Sequence, residues 1–351
     1  MIARRQCGKS KLSLPILGAG CWAYGGGEYW GAQDEQDVEA VVRRSVELGI
    51  NFFDTAEAYN EGRSESALGK ALKGIPRAKV LIGTKIAPSN AVPATLVAHC
   101  EASLARLGTD YVDLYMVHWP IHPHSIRHFT KDEALIKNPP QAAEAFATLQ
   151  KLKKEGKIRW IGVSNFGVRR LDEALALCPE IVINELPYSL LTRAIELEIV
   201  PFCRKRGLGV LGYMTLLQGL LADIYPTLAA VPAWQRRTRH FNQKSCELSR
   251  HGEEGAEAET NAALSAIRKL AQELGLTMPE IAVKWAVANP AITSALVGAR
   301  SLKELEMNAR AAETPLDPAV VARLNAATEP LLKKLGPSFD YYEGTANDRT
   351  K

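Results

Sequence analysis

The stretch INFFDTAEAYNEGRSESALGKAL, residues 50–72, decides the fold, because a strand, a loop and a helix start follow one another in it. Its apolar beginning, NFFDT, is typical of a short buried strand. An aspartate, Asp54, and a phenol, Tyr59, come directly afterwards, and Ser64 is a candidate N-cap for the helix. The stretch therefore predicts one β/α unit with ionisable groups at the carboxyl end of its strand.

The same pattern recurs along the chain, with helical periodicity between the apolar runs. The eight predicted strands are PILGAG from Pro15, NFFDT from Asn51, VLIGTK from Val80, VDLYMVH from Val112, RWIGVS from Arg159, IVINEL from Ile181, GVLGYM from Gly209 and ITSALVG from Ile292. Residues 34–49 and 141–156 are examples of the intervening helices, since each has amphipathic spacing and a closing glycine. Eight strands that alternate with helices predict an α/β fold, a parallel (β/α)8 TIM barrel.

A doubly wound sheet is the alternative architecture, and it calls for a phosphate fingerprint after the first strand. The glycines in residues 18–27 miss the G-x-G-x-x-G spacing, and no helix pattern starts at them. They are more typical of a loop at a barrel mouth. Residues 4–14, RRQCGKSKLSL, predict an N-terminal β-hairpin that closes the other end of the barrel.

The division of the chain follows from these patterns. Residues 1–335 are expected to form a single barrel domain, and residues 336–351 a polar C-terminal tail that either wraps the mouth or extends freely. Two long connections, residues 120–140 and 216–259, follow the fourth and seventh strands and are expected at the C-terminal face. Long loops at that face commonly carry function.

Composition excludes several classes of protein. The 351 residues are 46% hydrophobic and 23% charged, as in ordinary globular proteins. The six cysteines are scattered without a C-x-x-C, and we find no signal peptide and no apolar run of membrane-spanning length. A cytoplasmic protein is therefore expected. A net charge of +4, evenly spread, argues against nucleic acid as a partner, and the oligomeric state stays open.

Four ionisable side chains are expected at successive strand ends: Asp54, Tyr59, Lys85 and His118. A buried lysine beside a carboxylate keeps its proton and is expected to lower the pKa of a nearby tyrosine toward neutrality. Such a tyrosine can exchange a proton with a carbonyl or alcohol oxygen while the histidine orients that oxygen. These four side chains can polarise a carbonyl group, but no side chain can deliver a hydride. The site therefore implies a nicotinamide cofactor.

Seven motifs carry a resemblance to a known family. They are GINFFDTAEAYNEGRSESALGKAL, IGTK, YMVHWP, GKIRWIGVSNF, PYSLL, LLQGLL and GARSLKELEMN. In this order and breadth the chain resembles the aldo-keto reductases. The resemblance implies a catalytic tetrad of Asp54, Tyr59, Lys85 and His118, in which Tyr59 gives a proton to the carbonyl or takes one from the alcohol.

The resemblance also implies a cofactor site. Ser164 and Asn165 would bind the nicotinamide carboxamide and Tyr188 would stack on the ring, while Glu185 replaces the glutamine usual at the carboxamide. The full set that it assigns to the cofactor is Cys21, Trp22, Ser164, Asn165, Glu185, Tyr188, Tyr213, Leu216, Gln218, Gly219, Gly298, Ala299, Arg300, Ser301, Glu304 and Asn308. Of these, Leu216, Gln218 and Gly219 would serve the pyrophosphate.

Two opposite charges stand at the expected adenosine end. The family expectation is NADPH, with its 2′-phosphate near residues 298–301 and its adenine on Asn308. Arg300 would attract that phosphate, whereas Glu304 would repel it and suit a ribose hydroxyl. NADP is therefore the expected cofactor, and NAD is retained as the alternative.

The expected substrate is a small carbonyl compound or its alcohol, with a sugar among the candidates. The residues expected to contact it are Trp22, Tyr59, His118 and Trp119. Indole rings stack on sugar faces and on aromatic aldehydes alike, so these residues do not choose between substrates.

Two other functions are weighed against an oxidoreductase. A nucleotide-binding regulatory subunit could keep the same residues and have little catalytic role. A metal-dependent hydrolase lacks support and no metal is expected, because His122, His124 and His128 cluster without strand-end carboxylates.

Overall fold

The structure is a computed structural model, and it describes residues 2–351. Its strands are β1 (Arg4–Gln6), β2 (Ser13–Pro15), β3 (Leu17–Gly20), β4 (Phe52–Asp54), β5 (Leu81–Ile86), β6 (Val112–Val117), β7 (Ile158–Ser164), β8 (Ile181–Pro187), β9 (Gly209–Tyr213) and β10 (Ser294–Val297). Its α-helices are α1 (Glu35–Glu47), α2 (Arg63–Ala71), α3 (Pro93–Leu107), α4 (Pro123–Ile126), α5 (Glu133–Lys137), α6 (Ala142–Lys154), α7 (Val168–Leu177), α8 (Ile199–Arg206), α9 (Glu257–Glu273), α10 (Met278–Ala288), α11 (Leu302–Glu313) and α12 (Pro318–Leu335). None of these helices is long and apolar enough to cross a bilayer.

Strands β3 to β10 form a closed parallel barrel, in the order β10-β3-β4-β5-β6-β7-β8-β9. All eight predicted strands are found in it, and the predicted TIM barrel is confirmed. The predicted helices are confirmed as α1 and α6. Asp34 caps α1 by accepting from the Gln36 amide, and Gly49 follows its end with a φ of +84°.

Alternation along each strand separates an inner from an outer core. Leu114 and Met116 of β6 meet Phe52 of β4 inside the barrel. Tyr115 and Val117 belong to the outer core between strands and helices. Every second side chain of a strand therefore points into the barrel, which fixes where polar residues at the strand ends must lie.

The predicted hairpin is confirmed as the antiparallel pair β1–β2, in register from Arg4↔Pro15 to Gln6↔Ser13. Leu12 and Leu14 are buried with the inner-core residues of the barrel strands. The hairpin therefore closes the end of the barrel opposite to the carboxyl ends of the strands.

The C-terminal segment, residues 336–351, wraps against the mouth rather than extending freely. The carbonyl of Tyr341 accepts from the Arg239 amide, and the carbonyl of Thr350 accepts from the Gly167 amide, both at 2.8 Å. Within the same segment, Asp340 and Arg349 form a buried ion pair. This segment and the long connections after β6 and β9 together surround the mouth.

Candidate active site

The four residues predicted as a tetrad meet inside the mouth. Asp54 ends β4 two positions after the inward-facing Phe52, and His118 follows β6 two positions after the inward-facing Met116. Lys85 lies near the end of β5, and Tyr59 begins the short 3-10 helix Tyr59–Gly62. The period of two along the strands explains why these side chains share one space.

Lys85 is the centre of the group. Its Nζ donates to both carboxylate oxygens of Asp54, at 2.8 and 2.7 Å, and to the carbonyl of Thr55 at 2.9 Å. The same nitrogen lies 3.2 Å from the hydroxyl of Tyr59. Lys85 has no exposed surface, and burial alone would lower its pKa, but the attraction of Asp54 outweighs that effect and its pKa is raised. The ammonium therefore stays charged beside the phenol.

His118 is a neutral imidazole beside that phenol. Its ring centroid is 5.6 Å from the ring centroid of Tyr59, nearly perpendicular to it, and its Nδ1 is buried without a partner. Burial, with the positive charge of Lys85, holds the pKa of His118 well below 6.5. A ring nitrogen without a protein partner is free to meet a substrate oxygen.

The pKa of Tyr59 moves in the opposite direction to the prediction. Burial raises it, Lys85 opposes that effect, and the charge of Asp54 adds to the effect of burial. The expectation of a lowered pKa was wrong because the sequence shows neither the desolvation of the phenol nor a second carboxyl group near it. In this structure Tyr59 holds its proton firmly.

Glu185 is that second carboxyl group. It points inward from β8, two residues beyond the inward-facing Ile183, and its Oε1 lies 3.3 Å from the Nζ of Lys85. Its Oε2 is buried without a hydrogen-bond partner. The residue expected at the cofactor carboxamide therefore also contacts the tetrad, which sequence reasoning missed.

Ser164, Asn165 and Tyr213 lie together next to His118. The amide nitrogen of Asn165 donates to the His118 carbonyl and to the Ser164 hydroxyl, both at 3.0 Å, and Tyr213 donates to its Oδ1 at 2.7 Å. Asn165 has a φ of +65°, a strained value for a residue with a side chain. Such strain is typical of a residue held for function.

Tyr188 does not face the mouth, contrary to the prediction that it stacks on a nicotinamide. Its ring stacks on Trp285 of α10 at 4.8 Å, and its hydroxyl donates to Glu196 and accepts from Asn289. Tyr188 follows β8 on the outer side, because inward positions of that strand fall at Ile183 and Glu185. Tyr213, the last residue of β9, is the tyrosine that the structure places near the tetrad.

The loop after β3 brings an indole to Tyr59. The ring of Trp22 lies 6.1 Å from that of Tyr59 and stacks on Tyr29 at 5.0 Å. The amide of Asn60 donates to the carbonyls of Trp22 and Tyr24, which ties the two loops together. By contrast, the thiol of Cys21 is in the outer core and is not presented to the mouth.

Ser64 is not the N-cap of α2, and that prediction was wrong. Gly62 occupies the cap position, and the Ser64 hydroxyl donates to the Cys21 carbonyl at 2.6 Å and meets the Thr55 hydroxyl at 2.8 Å. Ser64 is fully buried, so the helix start is held against the barrel rather than capped in solvent.

The loop after β9 has an unusual backbone. Met214, Leu217 and Gln218 all have positive φ values, 62°, 41° and 52°, and Gly219 reaches 100°. Leu216 lies within this stretch, and its carbonyl accepts from the Gly219 amide. Strain at several adjacent residues is typical of a loop shaped to fit a ligand.

Charged side chains at the start of α11 already make hydrogen bonds within the protein. The Ser301 hydroxyl caps the helix, and Glu304 accepts from the Arg300 amide at 2.7 Å. The guanidinium of Arg300 donates to the carbonyls of Trp30 and Ala32 and to the Gln33 side chain.

The neighbours of this helix start differ in exposure. Gly298 is exposed and Ala299 is buried. Asn308, further along the helix, is 2% exposed, and its Oδ1 is buried without a partner.

The C-terminal segment supplies contacts that sequence reasoning missed. The Arg349 guanidinium lies 3.9 Å from the ring centroid of Trp119, and the hydroxyl of Tyr342 accepts from the Gln218 amide at 2.5 Å. Phe129, from the connection after β6, lies 5.6 Å from the His118 ring. The aromatic residues in FDYYEG, residues 339–344, were the one signal in the sequence that this tail is packed.

Two of the three clustered histidines take part in this packing. The Nε2 of His122 contacts the Arg349 carbonyl at 2.9 Å, and His128 contacts the Arg250 guanidinium at 2.9 Å. Within residues 2–351, no three His, Cys, Asp or Glu side chains are arranged to hold a metal ion.

Comparisons with known proteins agree with this geometry. The model of the Aldo/keto reductase family matches residues 16–329. The NADH-specific methylglyoxal reductase of Escherichia coli (strain K12) is 32% identical over 92% of this chain and 98% of its own length. L-Galactose dehydrogenase of Arabidopsis thaliana is 27% identical over 96% and 98% of the two chains.

A solved structure gives the same result. The aldo-keto reductase AKR11C1 from Bacillus halodurans, in its holo form, superimposes with a TM-score of 0.69 at 25% identity, over 93% of this chain and 96% of its own. The barrel and its mouth thus define an oxidoreductase enzyme that acts on aldehydes or ketones and their alcohols. The chain belongs to the aldo/keto reductase family.

Proposed function

We propose that this protein is an NAD(P)(H)-dependent reductase of a small aldehyde or ketone, in which Tyr59 is the general acid. One observation carries the proposal: the Lys85 Nζ joins the Tyr59 hydroxyl, at 3.2 Å, to the Asp54 carboxylate in a buried mouth. In the opposite direction Tyr59 takes a proton from the alcohol.

Each side chain of the tetrad has one task. The Tyr59 hydroxyl gives its proton to the carbonyl oxygen, and Lys85 balances the negative charge that remains on the phenolate. Asp54 keeps Lys85 charged, and a nitrogen of the neutral His118 ring donates to the same carbonyl oxygen and orients it. Burial raises the pKa of Tyr59, so its hydroxyl carries the proton at neutral pH that reduction requires.

The remaining predicted residues fit a dinucleotide. Ser164, Asn165 and Tyr213 supply amide and hydroxyl groups beside His118, where a nicotinamide carboxamide would be held. Leu216, Gln218 and Gly219 lie on the strained loop proposed for the pyrophosphate. A bound reduced nicotinamide supplies the hydride that no side chain can supply.

The adenosine end supports binding of both NADPH and NADH. NADPH is the family expectation, and a relative of this chain is named as NADH-specific. Arg300 lies at the expected 2′-phosphate position but donates to three acceptors of the protein, while Glu304 adds a carboxylate there. The unpartnered Oδ1 of Asn308 suits the exocyclic amine of adenine.

Two relatives suggest the first substrates to test. They are named as a methylglyoxal reductase and an L-galactose dehydrogenase, and both names fit a small carbonyl compound or a sugar. Trp22, Trp119 and Phe129 would form the walls around such a substrate. A cytoplasmic location is part of the proposal, supported by six cysteines that are all unpaired and buried.

Replacing Tyr59 with phenylalanine tests the assigned role. We expect kcat for methylglyoxal reduction to fall by at least about 100-fold, because the proton donor is lost. Binding of NADPH and NADH, followed by fluorescence, should stay unchanged. Tyr115→Phe is the matched control, since that hydroxyl is buried too but has no hydrogen-bond partner and lies in the outer core.

Near-normal turnover by the Tyr59→Phe protein would overturn the role of Tyr59. Tight nucleotide binding by the unmodified protein, with no turnover of methylglyoxal, L-galactose or a wider carbonyl panel, would instead support the regulatory-subunit alternative.

A further inference from the structure

Two carboxyl groups, Asp54 of the tetrad and the neighbouring Glu185, lie beside the single ammonium of Lys85. Asp54, Glu185 and Lys85 are 3%, 2% and 0% exposed, and both acids contact the same ammonium. Two carboxylates against one ammonium would leave a net negative charge in a buried site. Such a charge is costly, and a buried acid relieves it by holding a proton.

The contacts of the two acids are unequal. Both oxygens of Asp54 accept hydrogen bonds from Lys85, at 2.7 and 2.8 Å, as expected for a carboxylate. Glu185 approaches Lys85 with one oxygen at 3.3 Å, and its other oxygen has no donor. The charge therefore belongs on Asp54 and the proton on Glu185.

The electrostatic surroundings agree with that division. Burial, followed by the charge of Asp54, raises the pKa of Glu185 well above 4.5, against the opposing effect of Lys85. Burial raises the pKa of Asp54 as well, but there the charge and the two hydrogen bonds of Lys85 oppose that effect. The other titratable groups near Glu185 are the phenols of Tyr59 and Tyr213.

We propose that Glu185 is a protonated positioning residue, whose carboxyl group donates a hydrogen bond to Asp54 and so leaves one negative charge against Lys85. Its positioning role rests on the function proposed above for Lys85 and Tyr59. A protonated Glu185 also explains how an acid can replace the glutamine that the family resemblance implies. A protonated carboxyl group and an amide are both neutral hydrogen-bond donors.

Glu185 and a glutamine at the same position should behave differently at high pH, because only the glutamate can lose a proton. When Glu185 loses its proton, a second negative charge forms beside Lys85 and raises the pKa of Tyr59 further. Formation of the phenolate, which alcohol oxidation needs, then becomes harder. Alcohol oxidation by the unmodified enzyme should therefore fall at alkaline pH, and Glu185→Gln should remove that fall.

Infrared spectroscopy tests the proton directly and needs no turnover. The difference spectrum of the full chain minus its Glu185→Gln variant, at neutral pH, should contain the C=O stretch of a protonated carboxylic acid. Absence of that band would overturn the proposal. Glu65→Gln is the control: Glu65 is equally buried but accepts from Arg106 and Thr84, and its loss should remove a carboxylate band.

Kinetics tests the positioning role. We expect Glu185→Met, which lacks a hydrogen-bond donor, to have a kcat about 10-fold or more below that of Glu185→Gln, which keeps one. Equal losses in both variants would contradict the proposed hydrogen bond to Asp54. If the band is present but the unmodified protein reduces no carbonyl compound, the proposed function fails while the protonation of Glu185 stands.

Discussion

The ion pairs and hydrogen bonds of a few charged side chains underlie the function proposed for the barrel mouth. Lys85 holds the Asp54 carboxylate, the Tyr59 hydroxyl and Glu185 around one nitrogen. At the other end of the proposed cofactor site, Glu304 accepts from the Arg300 amide. A carboxylate at that position opposes a 2′-phosphate, and its removal is the sharpest test of cofactor choice.

Replacing Glu304 with glutamine should shift the cofactor preference toward NADPH. The amide keeps an acceptor for the Arg300 nitrogen but removes the negative charge that repels a phosphate. We expect the ratio of Kd for NADPH to Kd for NADH to fall about 10-fold, equivalent to about 1.4 kcal/mol. Fluorescence titration with both nucleotides measures this ratio.

The control for this change is Glu306→Gln on the same helix. Glu306 pairs with Arg44 at 3.2 Å instead of contacting Arg300, so its loss should leave the ratio unaltered. A Glu304→Gln protein with an unchanged ratio would show that the carboxylate does not face the 2′ position.

The C-terminal segment is the element whose packing most affects the mouth. Its Asp340 and Arg349 form a bidentate pair, with oxygen–nitrogen distances of 2.7 and 2.6 Å, and both are almost fully buried. Arg349 also covers Trp119, and Tyr342 contacts Gln218. The segment therefore links the expected substrate wall to the expected cofactor loop.

Replacing Asp340 with asparagine should destabilise the protein strongly. The change leaves the Arg349 charge buried without its counterion, and such losses cost about 3–5 kcal/mol of unfolding free energy. The double variant Asp340→Asn with Arg349→Met should recover part of that loss, because it removes the unpaired charge. Denaturant unfolding of the single and double variants measures both effects.

Glu35→Gln provides the comparison at an exposed ion pair. Glu35 and Lys70 are 71% and 58% exposed, so a loss of at most about 1 kcal/mol is expected. A loss in Asp340→Asn no larger than in this control would contradict a buried ion pair in the C-terminal segment.

At the scale of the whole molecule, the barrel has the hairpin at one end and the proposed active site at the other. The hairpin residues Leu12 and Leu14 fill the barrel from one end, whereas the tetrad lies at the other end. Between them, the inner side chains of the strands form a continuous core. Changes at the hairpin end should therefore alter stability without altering the reaction.

Replacing Leu14 with alanine should lower the free energy of unfolding by about 2–5 kcal/mol, because a cavity is left in a tightly filled barrel. The values of kcat and KM of the folded enzyme should not change. Leu248→Ala is the control, since Leu248 is 54% exposed and its loss should stay within about 0.5 kcal/mol. A raised KM in the Leu14→Ala protein would contradict the separation of the two ends.

Some features of this protein were predictable from its sequence because they depend on local order. The period of two along Phe52–Asp54 and Val112–Val117 determines which side chains point inward. The eight β/α repeats then bring Asp54, Lys85 and His118 to one mouth, since parallel strands all end on the same face. The hairpin and the barrel follow from the same local patterns.

Other features were decided only by the tertiary structure. The approach of Glu185 to Lys85 and the position of Arg349 over Trp119 join residues far apart in the chain. Tyr188 turns outward because Trp285 of α10 offers a stacking surface. The raised pKa of Tyr59 has the same origin, since burial and the sum of nearby charges depend on the whole fold rather than on local order.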